Sequence, residues 1–325
     1  MTTTTAPRPV EPAADIDNQE STRRDVRPLP ELLCQRYQIE RLLGVGGMAA
    51  VYKAKDLLRE GYGDPEPFVA IKALNDYFAQ FPDANALLFS EFALTSRLHH
   101  GHIIQLHGFD VDTDSERAFI ILEPLRGPTL DQLLVERPTG TDWESLRELV
   151  VPLLDALAYA HQHGVIHGDI KPSNVMLAEQ GVRLFDFGLG QPMEGLLPGL
   201  PRLSRQRIAA WTPRYAALEL LNGEALTAAA DIYAIACVIY ELSSGHHPFS
   251  RLTAKQAKAM QQDQTLERPA LLPPHCWPAL REALAFDPTD RQITAAELRN
   301  SFAASPPKLL QRLLRPGKQR RHASA

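Results

Sequence analysis

The sequence HGDIKPSN at residues 167–174, with DFG following at residues 186–188, decides how the rest of the chain is interpreted. The first motif places Asp169, Lys171 and Asn174 on a short loop between apolar segments, and the second supplies another Asp on a Phe-Gly turn. Mg²⁺ prefers oxygen ligands, and a transferring phosphoryl group requires fixed positive charge nearby. The two loops together therefore predict a site for a magnesium-bound nucleotide.

Further motifs on either side of these loops occur in an order that resembles the protein kinase family, in particular the bacterial, Hanks-type Ser/Thr protein kinases. The resemblance covers residues 37–303, which is most of the chain. It implies a two-lobed α+β fold, with an antiparallel sheet and helix C over residues 37–123 and a mainly helical lobe over residues 124–303. It also implies that ATP binds with Mg²⁺, or with Mn²⁺ in its place, in a cleft between the lobes.

The resemblance gives each polar residue of the two loops a role. Asp169 would accept the proton of the substrate hydroxyl, and Lys171 would balance negative charge on the transferred phosphoryl group, so these two are the predicted catalytic residues. Asn174 and Asp186 are the predicted metal ligands. Phosphoryl transfer depends on alignment and charge neutralisation more than on covalent chemistry, so this set of groups suits the reaction.

A glycine-rich hairpin is predicted near the start of the kinase-like region. Residues 37–43 and 50–54 have the pattern of paired strands, and the turn GVGGMA at residues 44–49 lies between them. Glycines at such a turn let backbone N–H groups approach a polyphosphate. The turn matches the family pattern G-x-G-x-x-G-x-V, except that Ala49 replaces the third glycine.

The next strand ends in the sequence VAIK, whose Lys72 would contact the α- and β-phosphates in a protein kinase. A helix is predicted over residues 82–98, and Glu91 in its middle is the expected ion-pair partner of Lys72. The hinge between lobes would follow, with backbone groups that bind adenine. By the resemblance, the ATP-binding residues are Gly44, Val45, Gly46, Gly47, Val51, Ala70, Lys72, Glu91, Leu122, Glu123 and Leu125.

The second half of the chain contains residues predicted to support the site. Residues 228–244 are apolar nearly all round and therefore predict a buried helix. The resemblance implies that Asp231, near its start, accepts backbone N–H bonds from the catalytic loop. It also pairs Glu219 with Arg291, and it makes Thr212 of the sequence WTPRY a substrate-positioning residue.

One departure from the family pattern bears on regulation. Gly168 stands where the family usually has an Arg beside the catalytic Asp, so the chain is of the non-RD type. That Arg ordinarily binds a phosphate on the activation loop. Between Gly188 and Thr212 the sequence carries one hydroxyl, that of Ser204. We therefore expect activity that does not depend on activation-loop phosphorylation.

The composition is that of an ordinary globular protein: 325 residues, 44% hydrophobic and 22% charged, with a formal net charge of −5. This charge gives no reason to expect nucleic-acid binding. Cys34, Cys237 and Cys276 are scattered without a C-x-x-C pair, which predicts reduced thiols in a cytoplasmic protein. The apolar runs are too short to predict a secretory signal or a transmembrane segment.

The two ends of the chain differ from the region between them. Residues 1–36 begin with a Thr-, Pro- and charge-rich segment that has few large apolar side chains, and we expect a disordered tail there. Residues 304–325 form a basic tail. Its leucines and cations favour either a solvated terminus or a short amphipathic helix that contacts an anionic surface.

The predicted reaction is ATP-dependent phosphorylation of Ser and Thr hydroxyls on protein substrates, including autophosphorylation. The pattern H-G-D-x-x-x-x-N also resembles small-molecule kinases that act on aminoglycosides or choline. Lys171, the DFG motif and Thr212 favour the protein-kinase form over that alternative. A pseudokinase scaffold is the other alternative, although no catalytic residue of the family is missing from the sequence.

Overall fold

A computed structural model describes residues 29–79, 84–188, 190–193 and 212–304. Within these ranges the chain divides into two compact units. The smaller unit contains residues 29–88 with 108–124, and the larger contains residues 89–107 with 125–304. Ser204, the basic tail and most of the predicted N-terminal tail lie outside the described residues.

The smaller unit is built on a six-stranded sheet in the order β1-β2-β3-β4-β6-β5. The pairings β1–β2, β2–β3, β3–β4 and β4–β6 are antiparallel. Side chains of β3 alternate between buried and partly buried positions, as expected when one face of a strand packs on a core. The strands are β1 Leu32–Leu33, β2 Tyr37–Val45, β3 Ala49–Asp56, β4 Phe68–Leu74, β5 Leu106–Asp112 and β6 Arg117–Leu122.

Strand β1 corrects part of the sequence prediction, because it falls inside the segment 1–36 that was expected to be disordered. Leu32 pairs with Gln38 and Leu33 with Tyr37, and the Leu33 side chain is fully buried in the core of the sheet. Burial of a leucine contributes about 1.5–3 kcal/mol. This contribution helps to explain why residues 29–36 join the sheet.

Three helices lie near these strands in the chain: α1 Leu57–Gly61, α2 Asp76–Ala79 and α3 Ala84–Thr95. Helix α1 falls within the stretch between strands β3 and β4. The side chain of Asp56 caps α1 by accepting hydrogen bonds from the backbone N–H groups of Leu58 and Arg59. Arg36 donates to both carboxylate oxygens of Asp56, at 2.9 and 2.7 Å. A short polar network therefore connects α1 to the start of the sheet.

The larger unit is mainly helical and has its own core. The predicted buried helix is α7, which runs over Ala228–Ser244 as expected and buries residues on all of its faces. Helix α5 packs against both α7 and α10. The helices of this unit after α3 are α4 Leu130–Glu136, α5 Trp143–Gln162, α6 Leu218–Leu221, α7, α8 Ala254–Ala259, α9 Trp277–Ala283 and α10 Ala295–Ala303.

Two short antiparallel ladders in the larger unit border the loops that carry the polar motifs. Strand β7 Val165–Ile166 pairs with β10 Gln191–Pro192, and β8 Val175–Ala178 pairs with β9 Gly181–Leu184. A sheet unit and a helical unit confirm the predicted α+β class. Among the residues that the structure describes, there is no helix with the length and apolar character needed to span a membrane.

Candidate active site

The loop after β7 gathers three of the predicted site residues around one carboxylate. Lys171 donates from Nζ to Oδ2 of Asp169 at 2.6 Å. Asn174 donates from Nδ2 to the same oxygen at 3.2 Å and to the backbone carbonyl of Asp169 at 2.9 Å. A 3₁₀ turn over Pro172–Asn174 brings the Asn back toward Asp169. The loop therefore fixes Asp169 from two directions.

Asp231 holds the first residues of this loop in place. Its carboxylate is 1% exposed and accepts hydrogen bonds from the backbone N–H groups of His167 and Gly168, both at 2.8 Å, and from His161 Nε2 at 2.9 Å. Burial raises the pKa of Asp231, but these donors outweigh burial and hold the pKa below its usual range. The buried charge is therefore stabilised by its donors.

Gly168 adopts a backbone conformation that favours glycine, with φ of +80°. The backbone N–H of Gly168 donates to Asp231 at 2.8 Å. This hydrogen bond helps to anchor the loop. A side chain at this position would be strained by the left-handed backbone.

The electrostatic environment of Asp169 suits a proton acceptor. Burial raises the pKa of its carboxyl above the usual range, and the nearby charge of Asp186 raises it further, while Lys171 acts in the opposite direction. A carboxylate with a raised pKa is a better base near neutral pH. Lys171 and Asn174 share Oδ2, and Oδ1 takes part in no hydrogen bond recorded among the described residues. Oδ1 is therefore the oxygen that the predicted proton transfer would use.

The DFG segment lies close to the same loop. The Phe187 ring is 1% exposed and packs 4.5 Å from the ring of His167, measured between centroids. The backbone N–H of Phe185 donates to the carbonyl of Asn174 at 3.1 Å. Asp186 has φ of +68°, an uncommon value for a residue other than glycine. These contacts bring the two predicted metal ligands into neighbouring positions.

Glu91 lies beside the DFG turn. A Cβ atom placed on Gly188 would come within 3.2 Å of Oε2 of Glu91 and 3.3 Å of Oδ1 of Asp186. Glycine therefore leaves room for two carboxylates next to the turn. Glu91 belongs to the larger unit and Lys72 to the smaller one, so the ion pair between them stays a prediction.

In the smaller unit, the glycine-rich hairpin leaves its outer surface open. A Cβ atom on Gly44 or Gly47 would meet nothing within 4 Å, so the packing of the chain itself does not require glycine at these positions. Asn75 Nδ2 donates to the Gly47 carbonyl at 3.0 Å and Gly46 N–H donates to the Ala49 carbonyl at 2.8 Å. Hydrogen bonds within the smaller unit therefore hold the turn in place, and its backbone stays accessible.

The other predicted nucleotide contacts of this unit are neighbours across the sheet. Lys72 on β4 lies opposite Val51 of β3, and its side chain is buried. Ala70 lies opposite Leu122 of β6, and both are buried. Val45 is exposed at the end of β2. Glu123 and Leu125, which follow β6, are partly buried.

A cavity in the larger unit connects the catalytic loop with the segment that contains Thr212. Its lining includes Asp169, Thr212 and Tyr215, together with Leu220 of α6 and Ala230, Asp231 and Ala234 of α7. The predicted proton acceptor and the predicted substrate-positioning residue therefore both line this small cavity.

Comparison of the chain with known proteins identifies its family. The family model described as "Protein kinase domain" matches residues 37–319. The chain belongs to the protein kinase domain family. Serine/threonine-protein kinase PkaA of Streptomyces coelicolor is 30% identical over 265 residues, which cover 79% of this chain and 47% of that protein. Serine/threonine-protein kinase PknB of Mycolicibacterium smegmatis is 29% identical over 278 residues, covering 83% and 43% respectively.

Solved structures show the same fold. The crystal structure of the Mycobacterium tuberculosis PknI kinase domain has a TM-score of 0.61 and 24% sequence identity, and the match covers 85% of this chain and 99% of that one. This likeness confirms the predicted protein kinase fold. The kinase-domain chain spans less than half the length of the curated relatives named here.

Two distant charged residues of the kinase domain form a buried ion pair. Arg291 Nη1 donates to Oε1 of Glu219 at 2.8 Å, and the two side chains are 0% and 3% exposed. Arg291 also donates to the backbone carbonyls of Ala229, Ala285 and Phe286. The structure thus brings together the pair that the family resemblance implies, and it ties the segment before α7 to the segment after α9.

Sequence reasoning missed several residues that shape the site. Asn75 anchors the glycine-rich turn, and His161 is a third donor to Asp231. Arg214 and Glu241 form an ion pair at 3.1 Å next to the segment that lines the cavity. No local sequence motif marks these residues, so their roles become apparent only from contacts with residues far away in the chain. The spacing of His161 before the HGD motif is the one local signal that could have drawn notice.

Proposed function

We propose that the chain transfers the γ-phosphoryl group of ATP to Ser or Thr hydroxyls of protein substrates, its own chain among them. The observation that carries this proposal is the bonding of Asp169, because Lys171 and Asn174 both donate to one carboxylate oxygen and leave the other for a substrate hydroxyl. The names of the relatives, serine/threonine-protein kinases, support the same reaction.

The residues present fit a divalent cation. Asn174 turns its amide nitrogen toward Asp169, so its amide oxygen is the group offered to a metal. Asp186 interacts electrostatically with Asp169, which places a second oxygen donor close by. Oxygen donors of this kind suit Mg²⁺ or Mn²⁺. When bound, the cation would neutralise charge on the β- and γ-phosphates of ATP.

The roles of the other residues follow from their positions. Lys171, 2.6 Å from Asp169, would supply positive charge where the transferred phosphoryl group becomes more negative. Asp169 would accept the substrate proton at Oδ1. In the smaller unit, the open backbone at Gly44 and Gly47 and the buried ammonium of Lys72 would contact the phosphates. Thr212 would help to position the acceptor residue.

The experiment that tests the proposal uses the purified chain with labelled ATP and Mg²⁺. One reaction contains a generic protein acceptor, and two others contain an aminoglycoside or choline. Label on protein, removed by a Ser/Thr phosphatase, is the expected result. Label on a small molecule alone would support the small-molecule kinase alternative. Nucleotide binding without transfer to any acceptor would support a pseudokinase scaffold.

Loop phosphorylation is proposed to have no part in activation. Gly168 stands where the family usually has an Arg, so no side-chain guanidinium is present at this position to bind a loop phosphate. Ser204, which lies outside the described residues, is the sole hydroxyl residue in the sequence between Gly188 and Thr212.

Ser204→Ala and Ser204→Asp are therefore both expected to retain kinase activity within about twofold of the unchanged chain, because no guanidinium at position 168 is present to read a charge at Ser204. The measurement is the initial rate of phosphate transfer to the protein acceptor, with circular dichroism as a check on folding. Loss of most activity in a folded Ser204→Ala variant would contradict the proposal.

The domain limits and the cellular environment are also proposals. Residues 37–303 are assigned to the kinase domain, supported by the family match over residues 37–319. A reducing cytoplasmic environment is supported by three free thiols.

A further inference from the structure

Arg214 is held in a defined position beside the catalytic surface. Its Nη2 donates to Oε1 of Glu241 at 3.1 Å, and its Nε donates to the backbone carbonyl of Ser250 at 3.1 Å. Its guanidinium carbon lies 5.8 Å from the centre of the Tyr215 ring. Two hydrogen bonds from different nitrogens fix the plane of the guanidinium group, so its orientation is set before any substrate arrives.

The ion pair presents its positive side outward. The Arg214 side chain is 39% exposed, whereas that of Glu241 is 9% exposed. Tyr215 further covers the carboxylate by donating its hydroxyl to Oε2 of Glu241 at 2.5 Å. A ligand at this surface therefore meets a partly exposed cation, and the compensating negative charge lies beneath it.

Among the described residues, Glu241 is the carboxylate that pairs with Arg214. His247 packs edge-on against the Tyr215 ring at 5.2 Å, and burial with the charge of Arg214 lowers its pKa to about 3. His247 is therefore neutral near pH 7. Arg251, which follows Ser250 in the chain, is exposed and also carries a positive charge.

The chain places Arg214 between two residues that line the cavity of the catalytic loop. Thr212 and Tyr215 share that cavity with Asp169. Arg214 therefore belongs to the segment beside which a peptide would lie if its acceptor hydroxyl reached Asp169. In an extended peptide each neighbour of the acceptor lies about 3.3 Å further along, so the residues nearest the acceptor are the first that this segment would meet.

We infer that Arg214, oriented by Glu241, is a specificity-determining residue that selects protein acceptors with an acidic residue within two positions of the phosphorylated Ser or Thr and disfavours Lys or Arg there. This inference rests on the proposed protein-kinase function. Opposite charges at a surface attract and like charges repel, so the guanidinium discriminates between acidic and basic acceptors in both directions.

The test is a set of matched peptides that share one acceptor and carry Asp or Lys at each position from −2 to +2. The ratio of kcat/KM for Asp over Lys at the most sensitive position is expected to be about tenfold. Arg214→Ala should bring this ratio below one, because the negative charge of Glu241 then faces the peptide without a neutralising cation, although Tyr215 still donates to it. Glu241→Gln should raise the ratio, and the double variant should bring it near one.

Arg281→Ala is the matched control, because it removes the same charge from an exposed position on α9, which does not line the cavity. The ratio of kcat/KM for Asp over Lys peptides in Arg281→Ala should equal that of the unchanged chain. If Arg214→Ala does not fold, the rise in the ratio of Glu241→Gln still tests the inference. Equal rates on Asp and Lys peptides, or an unchanged ratio in Arg214→Ala, would overturn it.

A binding measurement separates this inference from the proposed function. Fluorescence anisotropy with the labelled Asp and Lys peptides should show tighter binding of the Asp peptide to the unchanged chain, and the reverse for Arg214→Ala. Absence of phosphate transfer to every peptide would contradict the kinase proposal. Transfer without charge discrimination, or equal binding of the two peptides, would contradict the role of Arg214 alone.

Discussion

Asp169→Asn is expected to lower kcat for phosphate transfer to protein by about 10²–10⁴-fold, the range that a positioned general base contributes. Asparagine has nearly the same size and shape, and its carbonyl oxygen can still accept hydrogen bonds from Lys171 and Asn174. It cannot accept the proton of the substrate hydroxyl as a carboxylate does. The loss should therefore fall on the transfer step, with little change in the affinity for ATP.

Initial rates with saturating ATP-Mg²⁺, together with a nucleotide-binding titration, measure the two quantities separately. Asp263→Asn makes the same chemical change at an exposed carboxylate of the larger unit and should leave kcat unchanged. A folded Asp169→Asn variant that transferred phosphate at a near-normal rate would show that Asp169 is not the proton acceptor.

Glu219→Ala is expected to destabilise the larger unit by about 3–5 kcal/mol, the usual cost of leaving a buried charge without its partner. Arg291 has no exposed side-chain surface and Glu219 is 3% exposed, so the guanidinium charge is buried away from bulk water and depends on this carboxylate. Urea unfolding followed by tryptophan fluorescence measures this change, because Trp143 and Trp277 both lie in the larger unit.

Two further variants make this measurement specific. Glu224→Ala removes an exposed carboxylate five residues away and should change the free energy of unfolding by no more than about 0.5 kcal/mol. Replacing both Glu219 and Arg291 by apolar residues should not restore stability, because the backbone carbonyls of Ala229, Ala285 and Phe286 would lose their donor. Wild-type stability in Glu219→Ala would mean that the ion pair is not a structural support.

Local sequence identified the residues of the catalytic loop correctly as neighbours because they lie within six positions of one another. Asp169, Lys171 and Asn174 need only one loop and a 3₁₀ turn to meet. The buried helix α7 was predicted with its observed bounds because a helix that is apolar on every face has few alternatives. Periodicity and motif spacing carry this information without knowledge of the rest of the fold.

The errors and omissions concern contacts between distant segments. The pairing of β1 with β2 depends on the burial of Leu33 in a core formed by strands that follow it in the chain. Cys34 N–H donates to Asp112 at 2.7 Å across 78 positions, which further ties this segment to the sheet. The composition of a segment does not predict such contacts, because it contains no information about residues elsewhere in the chain.

The amino-acid sequence by itself determined the family and the order of the motifs, since these follow from residue types at short, fixed separations. It also predicts which residues would act on ATP. Only the tertiary structure decided how those residues are held and what surrounds them. Asp231 and His161 are 70 positions apart, and Arg214 and Glu241 are 27 positions apart. Side chains so far apart in the chain meet because helices and loops pack around a common core, and packing depends on the whole fold rather than on any one stretch of it.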